Sequence, residues 1–263
     1  MMRDLHYVLL DPTGNVTALV TDPVDPAQQP EAAAQLMQKE PTCEQVGFME
    51  QNRLRMAGGE FCGNASLSAA ALVCRRNPLP DSGERLVALL VSGQETPVEV
   101  RIRQESGSRF FGTVAMPLPL SVEPCTLAFD GREYVLTKVT FTGMTHLIAA
   151  QNIKKQTAER AIKVWCKALN APALGIMLLS EQNKRLTPLV YVPKADTLFW
   201  ESSCASGTAA AAAALSFGKT EEQHYEFDEP GGRLTVDVSP HRLLLSGRVA
   251  IEKESSFPYR RAF

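Results

Sequence analysis

Two segments of the chain, separated by about half of its 263 residues, share an unusual pattern. Each begins with a cysteine, continues with small or helix-capping residues and leads into an alanine-rich stretch. The two openings are Cys62-Gly63-Asn64-Ala65-Ser66 and Cys204-Ala205-Ser206-Gly207-Thr208. Because alanine and serine side chains are short, helices built from them can pack closely against strands on every side. The repetition predicts an internal duplication, with one such helix inside each half of the chain.

Strand-like segments surround both of these helices. They are residues 5–10, 15–20, 46–50, 54–57, 86–91 and 98–103 in the first half, and 126–129, 133–141, 147–150, 175–179, 186–191, 234–238, 243–245 and 248–251 in the second. Their apolar residues alternate with polar ones, and glycine, proline, asparagine or aspartate marks their ends, as is typical of half-buried strands. Helical patterns are predicted for residues 27–39, 65–73, 156–169 and 208–216. Two prolines break residues 116–120 and give the best boundary between the halves. The sequence therefore predicts an α+β protein with two domains, residues 1–118 carrying Cys62 and residues 119–263 carrying Cys204.

The composition excludes several classes of protein. Hydrophobic residues make up 44% of the chain and charged residues 21%, which supports a sizeable core and excludes a disordered chain. A net charge of −2 offers no basic surplus for a nucleic acid, and no apolar run approaches the ~20 residues that span a membrane. Without a signal-peptide pattern we expect a cytoplasmic protein with six free cysteines. These contain no CxxC pair, so no metal site is expected.

A cysteine at the N-terminus of a helix has a distinctive chemistry. The helix dipole and the backbone N–H groups of the first turn favour the thiolate, so each thiol pKa is expected to lie below its usual ~8.5. The same N–H groups form a site for a carboxylate, which Gly63 and Gly207 allow to approach the backbone closely. Two thiols facing each other across a bound carboxylate suit removal of a proton from one face of a carbon and its return to the other.

Segments spread over nearly the whole chain carry a family resemblance. They are Thr13-Gly14-Asn15, Gly58-Gly59-Glu60-Phe61-Cys62-Gly63-Asn64-Ala65, Cys204-Ala205-Ser206-Gly207-Thr208 and Pro230-Gly231-Gly232-Arg233-Leu234. Together they resemble diaminopimelate epimerase and its superfamily of pyridoxal-free racemases and epimerases. More narrowly, Cys43-Glu44-Gln45-Val46-Gly47-Phe48 and Trp200-Glu201-Ser202-Ser203-Cys204 are similar to the histidine racemase branch.

The resemblance implies two pseudo-symmetric diaminopimelate epimerase-like domains, each with mostly antiparallel strands wrapped around a central helix. It implies a racemase that needs no cofactor and no metal, acts on an amino acid as its small-molecule substrate and forms a homodimer. One cysteine, as thiolate, removes the α-proton, while the other, as thiol, supplies one; their roles exchange for the opposite enantiomer. The two helix N-termini stabilise the carbanion charge as it spreads into the carboxylate.

The resemblance also assigns roles to residues around the cysteines. The backbone N–H groups expected to hold the substrate carboxylate belong to Gly63, Asn64, Ser206, Gly207 and Thr208. His146 is expected beside the first cysteine, and Glu201 beside Cys204 or at the substrate ammonium. Asn15, Glu44 and Gln45 are expected to bind the substrate. A plainer role in a cap, turn, strand or surface stays open for each of these residues.

One departure from the family pattern concerns the substrate. Diaminopimelate epimerases carry a glycine-rich segment before the second cysteine, with an arginine for the distal carboxylate, and this chain has neither. A second substrate carboxylate would be buried without a cation, so diaminopimelate is disfavoured. Glu44 instead suits a side chain that donates hydrogen bonds or carries positive charge, as imidazole does.

The sequence thus predicts a racemase that interconverts L- and D-histidine. Three alternatives stay open: a racemase, epimerase or isomerase of the same fold for another amino acid or small acid, a thiol redox protein, and a non-catalytic binding module. Redox pairs usually occur as CxxC near a βαβ pattern, which the sequence lacks.

Overall fold

The structure of the chain is a computed structural model that describes residues 2–77 and 83–260. Over these residues it has a mixed α+β fold in which strands predominate. The helices are α1 (Gln29–Lys39), α2 (Gly63–Arg76), α3 (Lys155–Ala168) and α4 (Ala205–Leu215). The strands are β1 (Met2–Pro12), β2 (Thr17–Val20), β3 (Gln45–Glu50), β4 (Arg53–Met56), β5 (Glu84–Val91), β6 (Val98–Ser106), β7 (Arg109–Ala115), β8 (Ser121–Phe129), β9 (Arg132–Phe141), β10 (Met144–Ala149), β11 (Leu174–Ser180), β12 (Arg185–Val192), β13 (Thr197–Trp200), β14 (Gln223–Glu229), β15 (Gly232–Ser239) and β16 (Arg242–Arg260).

The contacts within the chain divide it into two compact units. The first contains the residues up to Ala115 together with those from Ser246 onward, and the second is Met116–Leu245. Residues 246–260, which the sequence-based boundary assigned to the second domain, therefore pack with the first unit. The reason is strand pairing, because the later residues of β16 run antiparallel to β1, with Leu5 opposite Phe257.

In the first unit, hairpins alternate with helical crossovers. β1 and β2 are antiparallel, α1 leads to the parallel strand β3, and β3 and β4 form a hairpin. α2 then leads to β5, which is parallel to β4, and β5, β6 and β7 continue antiparallel. β16 neighbours both β7 and β1, so the strands of this unit close into a ring. α2 packs against strands all round this ring.

The composition of α2 explains why it lies inside the ring. Its buried side chains are almost all alanine, serine and leucine, from Ala65 to Leu72. A helix that strands surround has no solvent-facing side for charged residues. Arg75 and Arg76 come only in the last turn, where positive charge is favourable to the helix dipole.

In the second unit the same order of elements occurs. β8, β9 and β10 are antiparallel, α3 leads to the parallel strand β11, and β11 and β12 form a hairpin. β13 and α4 follow before β14, which is parallel to β12, and β14 and β15 form the last hairpin. α4 is buried through the alanines at 209–213, whereas α3 is amphipathic and inserts Trp165 into the core of this unit.

The four helices predicted from the sequence are confirmed, with small shifts at their ends. Three strands were not anticipated, namely β7, β13 and β14. Within the described part of the chain, no helix is long and apolar enough to cross a membrane.

Candidate active site

Cys62 is the N-cap residue of α2. Its backbone is extended, with φ −136° and ψ 117°, and its sulfur accepts a hydrogen bond from the Ala65 N–H at 3.4 Å. Its carbonyl accepts from the N–H and the hydroxyl of Ser66, at 3.0 and 2.8 Å. The side chain is half-buried. The thiol therefore lies over the first turn of a buried helix, at the positive end of its dipole.

Side chains from two neighbouring strands connect the Cys62 thiol to Glu44. The Cys62 sulfur lies 3.1 Å from Gln45 Oε1. Gln45 Nε2 donates to Asn15 Oδ1 at 2.6 Å and to Thr17 Oγ1 at 2.7 Å. Asn15 Nδ2 in turn donates to Glu44 Oε2 at 2.6 Å. The parallel pairing of Thr17 with Gln45 brings these residues together.

This chain of hydrogen bonds has one direction. An ionised carboxylate can only accept, so Asn15 turns its N–H to Glu44 and its oxygen to Gln45. Gln45 then donates through its nitrogen, which leaves its oxygen to accept from the Cys62 thiol. In this arrangement the Cys62 thiol donates to Gln45. Thr17 also takes part in this series of hydrogen bonds, and the sequence analysis did not identify it.

Cys204 is the N-cap residue of α4, with φ −130° and ψ 102°, and is only 6% exposed. Its sulfur lies 3.6 Å from Ser206 Oγ, and its carbonyl accepts from the N–H and the hydroxyl of Thr208, at 2.8 and 2.6 Å. A Cβ atom at Gly207 would lie 2.2 Å from Met177 Sδ and 3.2 Å from the Cys204 sulfur. Glycine at this position thus allows α4 to pack closely against β11.

Burial raises the pKa of the Cys204 thiol well above its ordinary value. The charge of Glu201 and a hydrogen bond with it raise this pKa further, as an ionised Glu229 would, while the Gly207 N–H acts in the opposite direction. The low pKa expected from the helix dipole is therefore wrong for Cys204. Complete burial beside two carboxylates outweighs the dipole here.

His146 lies in β10 and is fully buried. Its Nε2 atom is 3.0 Å from Ser206 Oγ, and its ring packs edge-on against Phe141. Its Nδ1 atom has no hydrogen-bond partner among the described residues. Burial lowers the pKa of His146 to about 3, so the imidazole is neutral. The resemblance implied that His146 lies beside the first cysteine, Cys62. In the structure its polar contact is instead with Ser206, which lies next to the Cys204 sulfur.

Two carboxylates lie beside Cys204. Glu201 hydrogen-bonds with the thiol and is half-buried at the end of β13. Glu229, at the end of β14, is 7% exposed and accepts a hydrogen bond from the Cys204 backbone N–H at 2.9 Å. The sequence analysis named Glu201 and missed Glu229. The available signal was its position directly before Pro230-Gly231-Gly232, the turn between β14 and β15.

The predicted residues gather around the N-terminus of one buried helix in each unit. Around α2 lie Asn15, Glu44, Gln45, Cys62, Gly63 and Asn64, and around α4 lie His146, Glu201, Cys204, Ser206, Gly207 and Thr208. Over residues 2–77 and 83–260, no group of three or more His, Cys, Asp or Glu side chains is placed to hold a metal ion. Each cluster presents a thiol, helix N–H groups and a carboxylate.

Comparison with known proteins gives consistent matches over nearly the whole chain. The family model described as histidine racemase CntK N-terminal domain matches residues 4–254. A histidine racemase of Fusobacterium nucleatum is 30% identical over 257 residues, 95% of each chain, and one of Staphylococcus aureus is 28% identical over 248 residues, 88% of each chain. A hydroxyproline epimerase of Agrobacterium vitis, solved with trans-4-hydroxy-L-proline, has a similar fold. It aligns with a TM-score of 0.69 at 12% identity, over 97% of this chain and 93% of that one.

Proposed function

The chain belongs to the histidine racemase family, and from this membership we propose that it interconverts L- and D-histidine without pyridoxal phosphate. The observation that carries the proposal is the matching placement of two thiols. Cys62 and Cys204 are the N-cap residues of the two buried helices, α2 and α4. Each thiol thus stands beside helix N–H groups that suit a carboxylate.

The reaction moves one proton across the α-carbon. One cysteine, as thiolate, takes the α-proton and becomes a thiol, while the electron pair of the C–H bond stays on the substrate. Helix N–H groups stabilise this charge as it spreads into the carboxylate. The other thiol gives its proton to the opposite face and becomes a thiolate. The enzyme is then ready for the opposite enantiomer.

The groups around Cys204 suggest how its thiolate forms. Burial and the neighbouring Glu201 raise the pKa of this thiol and so favour its protonated form. Glu201 is hydrogen-bonded to the thiol and takes its proton, while the substrate ammonium offsets the negative charge. His146 is neutral, and its contact with Ser206 holds that hydroxyl next to the Cys204 sulfur.

Glu44 is proposed to recognise the imidazole of the substrate. Its carboxylate already accepts from the Asn15 amide at 2.6 Å. A carboxylate has about four lone-pair positions, so it can accept from an imidazole N–H at the same time. Asn15 and Gln45 connect Glu44 to Cys62 by hydrogen bonds.

The recurring order of hairpins and crossover helices supports a further part of the proposal. Each unit is one of two pseudo-symmetric epimerase-like domains, the first carrying Cys62 and the second Cys204. The division at residue 118, the homodimer and the cytoplasmic location stay predictions, which rest on the resemblance and on the sequence.

Incubation with L-histidine in deuterium oxide, without added cofactor, tests the proposal. The expected product is D-histidine with deuterium on the α-carbon, measured by chiral chromatography and mass spectrometry. Cys62→Ser and Cys204→Ser should each abolish inversion, because every turnover needs a base on one face and an acid on the other. Cys125→Ser, which removes a half-buried thiol from β8, is the matched control and should stay active.

Two outcomes would contradict this proposal. Substantial turnover by either serine variant would rule out the two-thiol mechanism. A panel of the common amino acids in which another amino acid is inverted and histidine is not would rule out histidine as the substrate.

A further inference from the structure

We propose that Glu229 is held as a neutral carboxylic acid and acts as a positioning residue for the Cys204 thiol. This rests on the proposed racemase function of the same site. Glu229 would not touch the substrate. Its role would be to fix the backbone of Cys204, and with it the sulfur, at the N-terminus of α4.

Glu229 joins the end of β14 to the start of α4 at two points. Its Oε2 atom accepts from the Cys204 N–H at 2.9 Å. Its Oε1 atom is hydrogen-bonded to the Thr208 hydroxyl, and that hydroxyl also lies 2.6 Å from the Cys204 carbonyl oxygen. Cys204 and Thr208 are both buried, as is Glu229 itself.

A count of protons decides the state of the carboxyl group. The Thr208 hydroxyl has a single proton, and a carbonyl oxygen can only accept, so the short contact with Cys204 uses that proton. The contact between Thr208 and Glu229 then needs a proton on Glu229. With Glu229 neutral, three hydrogen bonds close a ring: Glu229 donates to Thr208, Thr208 donates to the Cys204 carbonyl, and the Cys204 N–H donates to Glu229.

The surroundings of the carboxyl group agree with this state. Burial and the charge of Glu201 raise the pKa of Glu229 to about 8, although the hydrogen bond from the Cys204 N–H acts against this. The titratable groups that face Glu229 among the described residues are thus Glu201 and the Cys204 thiol, both from the segment that begins α4. Neither stabilises a second negative charge.

Ionisation of Glu229 would therefore impair the site in two ways. It would break one hydrogen bond of the ring, because Thr208 cannot donate to two acceptors at once. It would also place a charge beside Cys204 that opposes formation of the thiolate. We expect the wild-type rate to fall as the pH rises above about 8.

Three variants separate positioning from a purely structural role. Glu229→Gln keeps an N–H for Thr208 and an oxygen for the Cys204 N–H, and cannot ionise. It should be active at neutral pH and should lose the alkaline fall in kcat/KM. Glu229→Leu fills similar space without the ring and should lower kcat about 10- to 100-fold with little change in KM, since small misplacements of reacting groups cost this much. Thr208→Val should lower kcat in the same way.

Infrared spectroscopy detects the protonated carboxyl group of Glu229 directly and does not depend on enzyme activity. The wild type at neutral pH should show the carbonyl band of a protonated carboxylic acid that shifts in deuterium oxide and is missing from Glu229→Gln. If the wild type shows this band but does not racemise histidine, the proposed function fails while the protonated Glu229 stands. Absence of the band, or an alkaline fall that persists unchanged in Glu229→Gln, would overturn the inference.

Discussion

Replacement of Glu44 by glutamine would separate recognition of the imidazole from the chemistry at the α-carbon. In the structure the Glu44 carboxylate accepts from Asn15 at 2.6 Å, which is shorter than the usual N–H···O hydrogen bond. A similar bond to an imidazole N–H contributes roughly 1.5–3 kcal/mol, or about 10- to 150-fold in kcat/KM. Glu44→Gln keeps the shape of the side chain but removes the charge. We expect kcat/KM for histidine to fall by that factor, and kcat/KM for an apolar amino acid such as methionine to change much less.

The assay is the ratio of the two kcat/KM values, measured for the wild type and for the variant. Glu50→Gln is the matched control, because it makes the same substitution at the exposed far end of β3. Thermal unfolding of each variant shows whether the change also affects folding. If Glu44 only supports a turn, the melting temperature will fall while the ratio stays fixed. An unchanged ratio would remove Glu44 from the recognition of histidine.

Two further predictions concern the stability of each unit. Gly175→Ala would place a methyl carbon 2.2 Å from the buried His146 ring, so we expect a loss of about 1–3 kcal/mol and a Tm lower by roughly 2–12 °C; an unchanged Tm in calorimetry would contradict this packing. Burial by itself would raise the pKa of Glu40, but hydrogen bonds from Tyr7 and Lys253 hold it below its ordinary value. Ionised Glu40 therefore stabilises the folded state at pH values above the ordinary pKa of the carboxyl group. This stabilisation is lost as the pH falls through the lowered pKa of Glu40. Urea unfolding between about pH 3 and 5 should therefore depend less on pH in Glu40→Gln than in the wild type, and parallel curves would refute the assignment.

The helices were predictable because their signals are local. The openings at Cys62 and Cys204 and the alanine-rich stretches after them are visible in any reading of the chain. Strand β14 was missed because Gln223–Glu229 is mostly polar, and its apolar alternation is limited to Tyr225 and Phe227. Cross-strand partners support it instead, such as Arg233 on β15, which forms an ion pair with Asp228. Partners of this kind are known only once the strands have been paired.

The candidate site likewise contains some residues that the sequence identifies and others that it does not. The residues before Cys62 were identified by their motif, and the structure connects Gln45 to this thiol by a direct contact. Glu229 was missed because it lies 25 residues after Cys204, on a strand that returns to α4 only in the folded chain. The raised pKa of the Cys204 thiol was missed for a related reason. A helix dipole can be read from sequence, whereas burial and the approach of two carboxylates are consequences of packing.

The last strand also sets the order in which the chain can fold as it is synthesised. The residues of β16 that pair with β1 are made after the whole of Met116–Leu245, and their contacts include Phe257 against Tyr7 and Lys253 with Glu40. The first unit therefore cannot complete its ring of strands until all of Met116–Leu245 has been synthesised. A nascent chain stalled before Ser246 would hold a complete second unit beside an incomplete first one. The open edge of β1 would then be free to pair with a chaperone or with another nascent chain on the same message.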